Sequence, residues 1–167
     1  MLCRGEFTTR RGRPIVFLDF DGVVETIYWT HDSNGIYQIN AFKSGHTELN
    51  NKQAIGWLNE LYRQCPYDIV VSSTWRMGMS VEELQDLLLK SGFHPDINVI
   101  GKTPVLHLER GHEIQSWLDE NNYTGNFVII DDDSDMCHLK SYLIQCDTYI
   151  GFTFNDFKNA LIFLQKS

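Results

Sequence analysis

Two carboxylates two residues apart, Asp19 and Asp21, follow the apolar run Ile15-Val16-Phe17-Leu18 and precede Gly22. Side chains alternate along a strand, so both acids point to one side if the extended backbone continues, with Phe20 turned away between them. Like charges held this close are costly to keep ionised, and a bound cation or a shared proton is the expected relief. A second acidic group, Asp131-Asp132-Asp133 with Asp135, follows another apolar run, Phe127 to Ile130. Between the two, Ile69-Val70-Val71 runs into Ser72-Ser73-Thr74-Trp75-Arg76 and puts hydroxyls at a third strand end.

These parts suit the handling of a phosphate. One carboxylate from each acidic strand can hold Mg²⁺, which takes hard oxygen ligands and keeps waters and a substrate phosphate oxygen. The ligand candidates are Asp19, Asp21, Asp131 and Asp132. The metal offsets repulsion between a carboxylate nucleophile and an anionic phosphate. Asp19 is the expected nucleophile, giving an aspartyl-phosphate. Asp21 is placed to protonate the leaving oxygen and then to deprotonate the hydrolytic water. Ser73, with backbone amides beyond its strand, is the expected ligand for phosphate oxygens, with Ser72 the alternative. A cation is needed opposite the metal, and Arg110, Lys102 and Arg76 are the candidates. Arg110 is preferred because it opens a helix that leads to the second acidic strand. Gly22, Thr74, Arg76 and Lys102 are further expected substrate contacts.

The elements that must position these residues follow from pattern. The three apolar runs read as strands buried on both faces, as in a parallel sheet. Residues 23–42 carry Tyr28, Trp29, Tyr37 and Phe42 around Asp32-Ser33-Asn34-Gly35, and the Asn-Gly pair predicts a β-hairpin flap. Helices are predicted from Asn50 or Asn51 to about Arg63, from a capping box at Ser80 and Glu83 to Ser91, over Glu109 to Asn121, over Ser134 to Leu143 and over Asn155 to Gln165. Gly92 is the expected stop of the second. Short strands are expected at Ile97 to Ile100, before a loop at 101–104, and at Thr148 to Ile150. Alternating strands and helices predict an α/β fold, a Rossmann-like parallel sheet with helices on both faces. Ligands in such sheets collect beyond the strand carboxyl ends.

Bulk composition bounds the function. The 167 residues are 43% apolar and 22% charged, which suits one soluble globular domain. The expected organisation is a basic N-terminal arm over residues 1–14, carrying Arg4, Arg10, Arg11 and Arg13, and a catalytic domain over 15–167. A formal charge of -8 works against a broad grip on nucleic-acid backbone. It leaves a small phosphorylated ligand open, because part of the acidity is clustered where metal would neutralise it. Cys3, Cys65, Cys137 and Cys146 show no CxxC spacing and no nearby His in a zinc pattern, so reduced thiols in a cytoplasmic protein are expected. No apolar run approaches a membrane span, and residues 1–14 lack the apolar core of a signal peptide.

On these motifs the chain resembles the haloacid dehalogenase (HAD) superfamily of phosphohydrolases. Phe17 to Gly22 matches its DxDG motif, Val70 to Ser73 its strand-terminal Ser or Thr, Arg110 its basic residue near a helix start, and Val128 to Asp132 its paired acids, with Asp135 fitting the spaced version. The match runs over about residues 15–135. The resemblance implies a Rossmann-like core, Asp19 as nucleophile, Asp21 as acid and base, and Mg²⁺ on Asp19, the Asp21 carbonyl and Asp131. The retained Asp21 implies a phosphatase or phosphotransferase, since dehalogenases lack it. Residues 72–76 and 131–135 resemble more narrowly the compact domains of this superfamily associated with nucleic-acid repair.

The gaps around the motifs have no room for a full cap domain. An open site admits a large substrate, and Tyr28, Trp29 and Tyr37 on the flap are placed to stack a base. The leading expectation is a phosphatase acting on a nucleotide or nucleic-acid end. The alternative is a non-catalytic module that sequesters a nucleotide or signalling ligand.

Overall fold

A computed structural model describes residues 13–31, 33–35, 37–40 and 47–166, with backbone only at 28–31 and 37–40. Most of the predicted basic arm, the side chains of Tyr28, Trp29 and Tyr37, and Phe42 lie outside the described residues. Arg13, assigned above to that arm, is instead tied down by bonds to Asp68 (2.9 Å) and the Tyr62 hydroxyl (3.1 Å).

The chain runs β1 (Ile15–Leu18), β2 (Tyr28–His31), β3 (Tyr37–Asn40), α1 (Lys52–Gln64), β4 (Asp68–Val71), α2 (Val81–Ser91), β5 (Val99–Lys102), α3 (Arg110–Glu120), β6 (Phe127–Asp131), β7 (Leu143–Gln145) and α4 (Phe154–Leu164). Short 3-10 helices occupy Thr74–Met77 and Cys137–Tyr142. Five strands form a parallel sheet in the order β5-β4-β1-β6-β7. β1 is central, so its apolar run is buried throughout. Alternation sends Val16 and Leu18 to a core built with α1, α2 and α4, and Ile15 and Phe17 to one built with α3 and the second 3-10 helix. This is the Rossmann-like arrangement expected, and the sheet winds both ways from β1, which makes its carboxyl edge the switch point.

β2 and β3 pair antiparallel as the predicted hairpin. With α1 it fills the gap between β1 and β4, while α2 and β5 fill that before α3, and among the described residues neither insertion builds a cap domain. The helix ends follow their local chemistry. Asn51 caps α1, Ser80 and Glu83 close a reciprocal capping box on α2, and Gly92 ends α2 at φ 101°.

Three predicted elements shift. The last strand is Leu143–Gln145, not Thr148 to Ile150, because Leu143 and Ile144 pair with Ile129 and Ile130 while Asp147 closes a tight turn with Ile150 and Gly151. The helix expected over Ser134 to Leu143 is a 3-10 helix starting at Cys137. Its predicted first turn is held open where Asp131 accepts from the Asp133 amide and Asp133 from that of Ser134. β5 begins at Val99 and takes in Gly101 and Lys102. Ile97 instead closes a turn back to His94 and fills the first core.

Candidate active site

The parallel ladder continues one residue past the apolar runs. The Asp19 amide donates to Ile130 O and the Ser72 amide to Leu18 O, each at 3.0 Å. Leu18 pairs with Val71 on one side and Ile130 on the other, so Asp19, Ser72 and Asp131 stand level at three adjacent strand ends. The alternation that sends Phe17, Val70 and Ile129 to the α3 side puts these three on that side as well.

Carboxylate oxygens of Asp19, Asp131 and Asp132 lie within 4.8 Å of one another, with Asp19 and Asp131 buried. Arg110, from the first turn of α3, bridges two of them, its Nη1 2.9 Å from Asp19 Oδ1 and 2.9 Å from Asp131 Oδ2. Burial raises the pKa of both carboxylates, and Arg110 partly offsets it. Burial also works to lower the Arg110 pKa, but Asp19 and Asp131 outweigh it and the net shift is upward. One guanidinium thus serves two buried acids and leaves a site that a cation would complete. The all-oxygen donor set, with Asp132 half-exposed at its edge, fits Mg²⁺, which takes one or two protein carboxylates and keeps its waters.

The backbone leaves β1 through a tight turn in which Phe20 O accepts from the amides of Val23, Val24 and Glu25. Gly22 adopts φ 74° there, and a Cβ on it would lie 2.2 Å from Asp132 Oδ2. Glycine is required both for the turn and for the approach of the second acidic strand end. Asp132 is steadied by the Thr148 hydroxyl at 2.7 Å. Asp21, half-buried and outside the three-carboxylate cluster, accepts from Trp75 Nε1 at 3.0 Å. Burial raises its pKa, the Trp75 bond opposes this, and Glu25 and Asp132 add to the rise. A carboxyl so placed can carry a proton.

The two serines differ. Ser73 faces away from the cluster and caps the 3-10 helix, its Oγ accepting from the Trp75 amide at 3.4 Å. Among the described residues the buried Ser72 hydroxyl has no hydrogen-bond partner. Arg76 and Lys102 are not brought to the cluster. Buried Arg76 donates to the carbonyls of Thr103, Ser72, Ser73 and Pro104 and pairs with Glu113. Lys102 Nζ donates to the carbonyls of Arg76 and Met79. Both cations hold the loop after β4. Thr74 is exposed and lines a cavity of about 150 Å³ with Met77, Leu108 and Arg110.

Trp75 and Thr148 have no role in the sequence reading. Trp75 lies within the Ser-Ser-Thr-Trp-Arg stretch, but its partner is 54 residues away. Thr148 lies in the turn that replaces the strand expected there. Asp135, noted for its spacing, accepts from the Arg110 amide at 3.1 Å and so fixes the start of α3.

A doubly wound sheet whose central strand and its neighbour both end in acids, joined by an arginine from the intervening helix, defines a HAD-type core. The family profile described as the HAD domain in Swiss Army Knife RNA repair proteins matches residues 15–157, and the chain belongs to that family. No curated protein and no solved structure matches the chain. Among the described residues no helix is long and apolar enough to cross a membrane.

Proposed function

We propose that this protein is a Mg²⁺-dependent phosphomonoesterase acting on a nucleic-acid end through an aspartyl-phosphate. The observation that carries the reading is the Asp19, Asp131 and Asp132 cluster bridged by Arg110, with Asp21 beside it in an environment that favours its protonated form. Asp19 Oδ attacks phosphorus and the bond from phosphorus to the leaving oxygen breaks. Asp21 gives that oxygen its proton. Asp21, now anionic, takes a proton from water as the water oxygen attacks the aspartyl-phosphate, releasing phosphate and restoring Asp19. Mg²⁺ held by Asp19, Asp131 and Asp132, with the Asp21 carbonyl, would supply charge neutralisation for the incoming phosphate.

Ser72 replaces Ser73 in this reading as the hydroxyl that meets a phosphate oxygen, because it shares the face of Asp19 and its own hydrogen-bonding capacity is unused. Arg110 binds a second phosphate oxygen while holding Asp19 in place. The absence of a cap domain suits a polymer terminus, and the family's description in RNA repair points the same way. Tyr28 and Trp29, on the hairpin that leaves the turn after Asp21, are the proposed stacking surface for the terminal base. A net charge of -8 fits recognition of an end better than tracking along a backbone.

The test is phosphate release with Mg²⁺ from 3′- and 5′-phosphorylated oligoribonucleotides, mononucleotides, sugar phosphates and phosphopeptides. Oligonucleotide ends should be preferred, and Asp19→Asn should abolish release while leaving the fold intact. Equal turnover of all classes would defeat the end-recognition reading. No turnover of any, including an activated aryl phosphate, would leave the non-catalytic binding module as the better account.

A further inference from the structure

A second group of potential ligands lies on the other flank of Arg110. Oxygen of Glu109, ring nitrogen of His112 and Sγ of Cys137 all lie within 4.8 Å of one another. Glu109 and His112 belong to the start of α3, and Cys137 opens the 3-10 helix packed on it. That packing is close: the Gly111 amide donates to Asp135 O at 3.1 Å, and a Cβ on Gly111 would lie 2.1 Å from Met136 O.

Several features converge on the sulfur. Glu109 occupies the N-cap position of α3, yet its carboxylate caps nothing and instead accepts from the Cys137 thiol at 2.6 Å. Glu109 first, then burial and the negative charge around it, pushes the thiol pKa up, and the His112 amide at the sulfur only partly opposes this, so a cation at this point would relieve the crowding of negative charge. Asp135 adds negative charge nearby. Cys137 holds φ 50°, a left-handed conformation that a non-glycine residue adopts only under constraint. Glu109 and His112 are exposed, so a cation can enter from solvent.

We propose that Glu109, His112 and Cys137 form a Zn²⁺ site separate from the acidic cluster. One carboxylate, one imidazole and one thiolate are the donors zinc takes, at about 2.0–2.3 Å in a tetrahedron, which sets ligand separations of roughly 3.3–3.6 Å. Water completes the fourth position. Mg²⁺ does not compete, because it takes hard oxygen ligands and the thiolate is soft. As the S–Zn bond forms, the thiol proton now shared with Glu109 leaves to solvent, one proton per ion bound. The bound ion ties Glu109, the residue before Arg110, to the segment after Asp135, and so secures the helix start that presents Arg110 to Asp19 and Asp131.

Co²⁺ is the probe. The 167-residue chain, stripped with chelator and then given excess Mg²⁺ to fill the acidic cluster, is titrated with Co²⁺. A near-ultraviolet thiolate-to-cobalt charge-transfer band should saturate at one equivalent and vanish when Zn²⁺ is added. Cys137→Ser should abolish the band, and His112→Asn should weaken Co²⁺ binding by more than about tenfold. No thiolate band in the parent chain overturns the proposal. So does a band that survives in Cys137→Ser, which would place the ion on another cysteine. If Cys137→Ser does not fold, exposed His112 decides, and parental Co²⁺ affinity in His112→Asn overturns the site.

Discussion

Replacing Glu113 by glutamine removes the carboxylate paired with an arginine whose side chain is 2% exposed, while the glutamate itself is 7% exposed. Removing one partner of a buried ion pair costs about 3–5 kcal/mol, because the remaining charge is left without compensation. Glutamine keeps the shape and an acceptor oxygen, so Glu113→Gln belongs at the lower end, ~3 kcal/mol. For a chain of this length each kcal/mol lowers Tm by about 2–4 °C, which gives a fall of about 6–12 °C. Alanine goes further, since it also orphans the Leu106 amide that Glu113 Oε1 now accepts at 2.9 Å. The assay is urea unfolding with calorimetry at fixed Mg²⁺, and the urea midpoint should fall with an unchanged m-value. The double replacement Arg76→Met with Glu113→Leu sharpens the test. Apolar substitution of a buried pair is often neutral. Here Arg76 also feeds the carbonyls of Ser72, Ser73, Thr103 and Pro104, so the double variant should remain at least ~2 kcal/mol less stable. A cost below about 1 kcal/mol for Glu113→Gln, or a neutral double variant, would refute the view that Arg76 is the clamp of the loop after β4.

Two further substitutions address the site itself. Ser72→Ala should leave stability nearly unchanged but cut kcat by about 10²–10³, whereas Ser73→Ala should lose about 1 kcal/mol of capping with little change in rate. The reverse pattern in paired melting and kinetic measurements would return the phosphate contact to Ser73. Gly22→Ala drives a methyl into Asp132 at φ 74° and should raise the Mg²⁺ concentration for half-maximal phosphate release by about 10–100-fold, and an unchanged requirement in a Mg²⁺ titration would remove Asp132 from the metal site.

Much of this protein was legible along the chain. Ile15 to Leu18 is apolar at every position because a central strand is covered on both faces, and that pattern needs no knowledge of its neighbours. Ser80 and Glu83 announce α2 because a capping box closes within four residues. Asp19 with Asp21, and Asp131 with Asp132, were visible for the same reason, each pair standing at the end of its own apolar run. Partnerships across the sheet were not visible. The difference between Ser72 and Ser73 is one residue of register between β4 and β1, and register reverses the face of every side chain. Arg76, Lys102 and Arg110 look alike as surface-type cations in the sequence. Which one meets the carboxylates at the strand ends follows from contacts over 21 to 91 residues for Arg110, against backbone carbonyls for Lys102 and backbone carbonyls with Glu113 for Arg76. Cys137 matched no ligand spacing because its partners lie 25 and 28 residues earlier on a packed helix start. Amino-acid order by itself determined the strands, the caps and the acids at the strand ends, all of which rest on interactions within a few residues. Tertiary structure alone decided which hydroxyl and which cation share a face with Asp19, since ladder register and helix packing join residues the chain holds far apart.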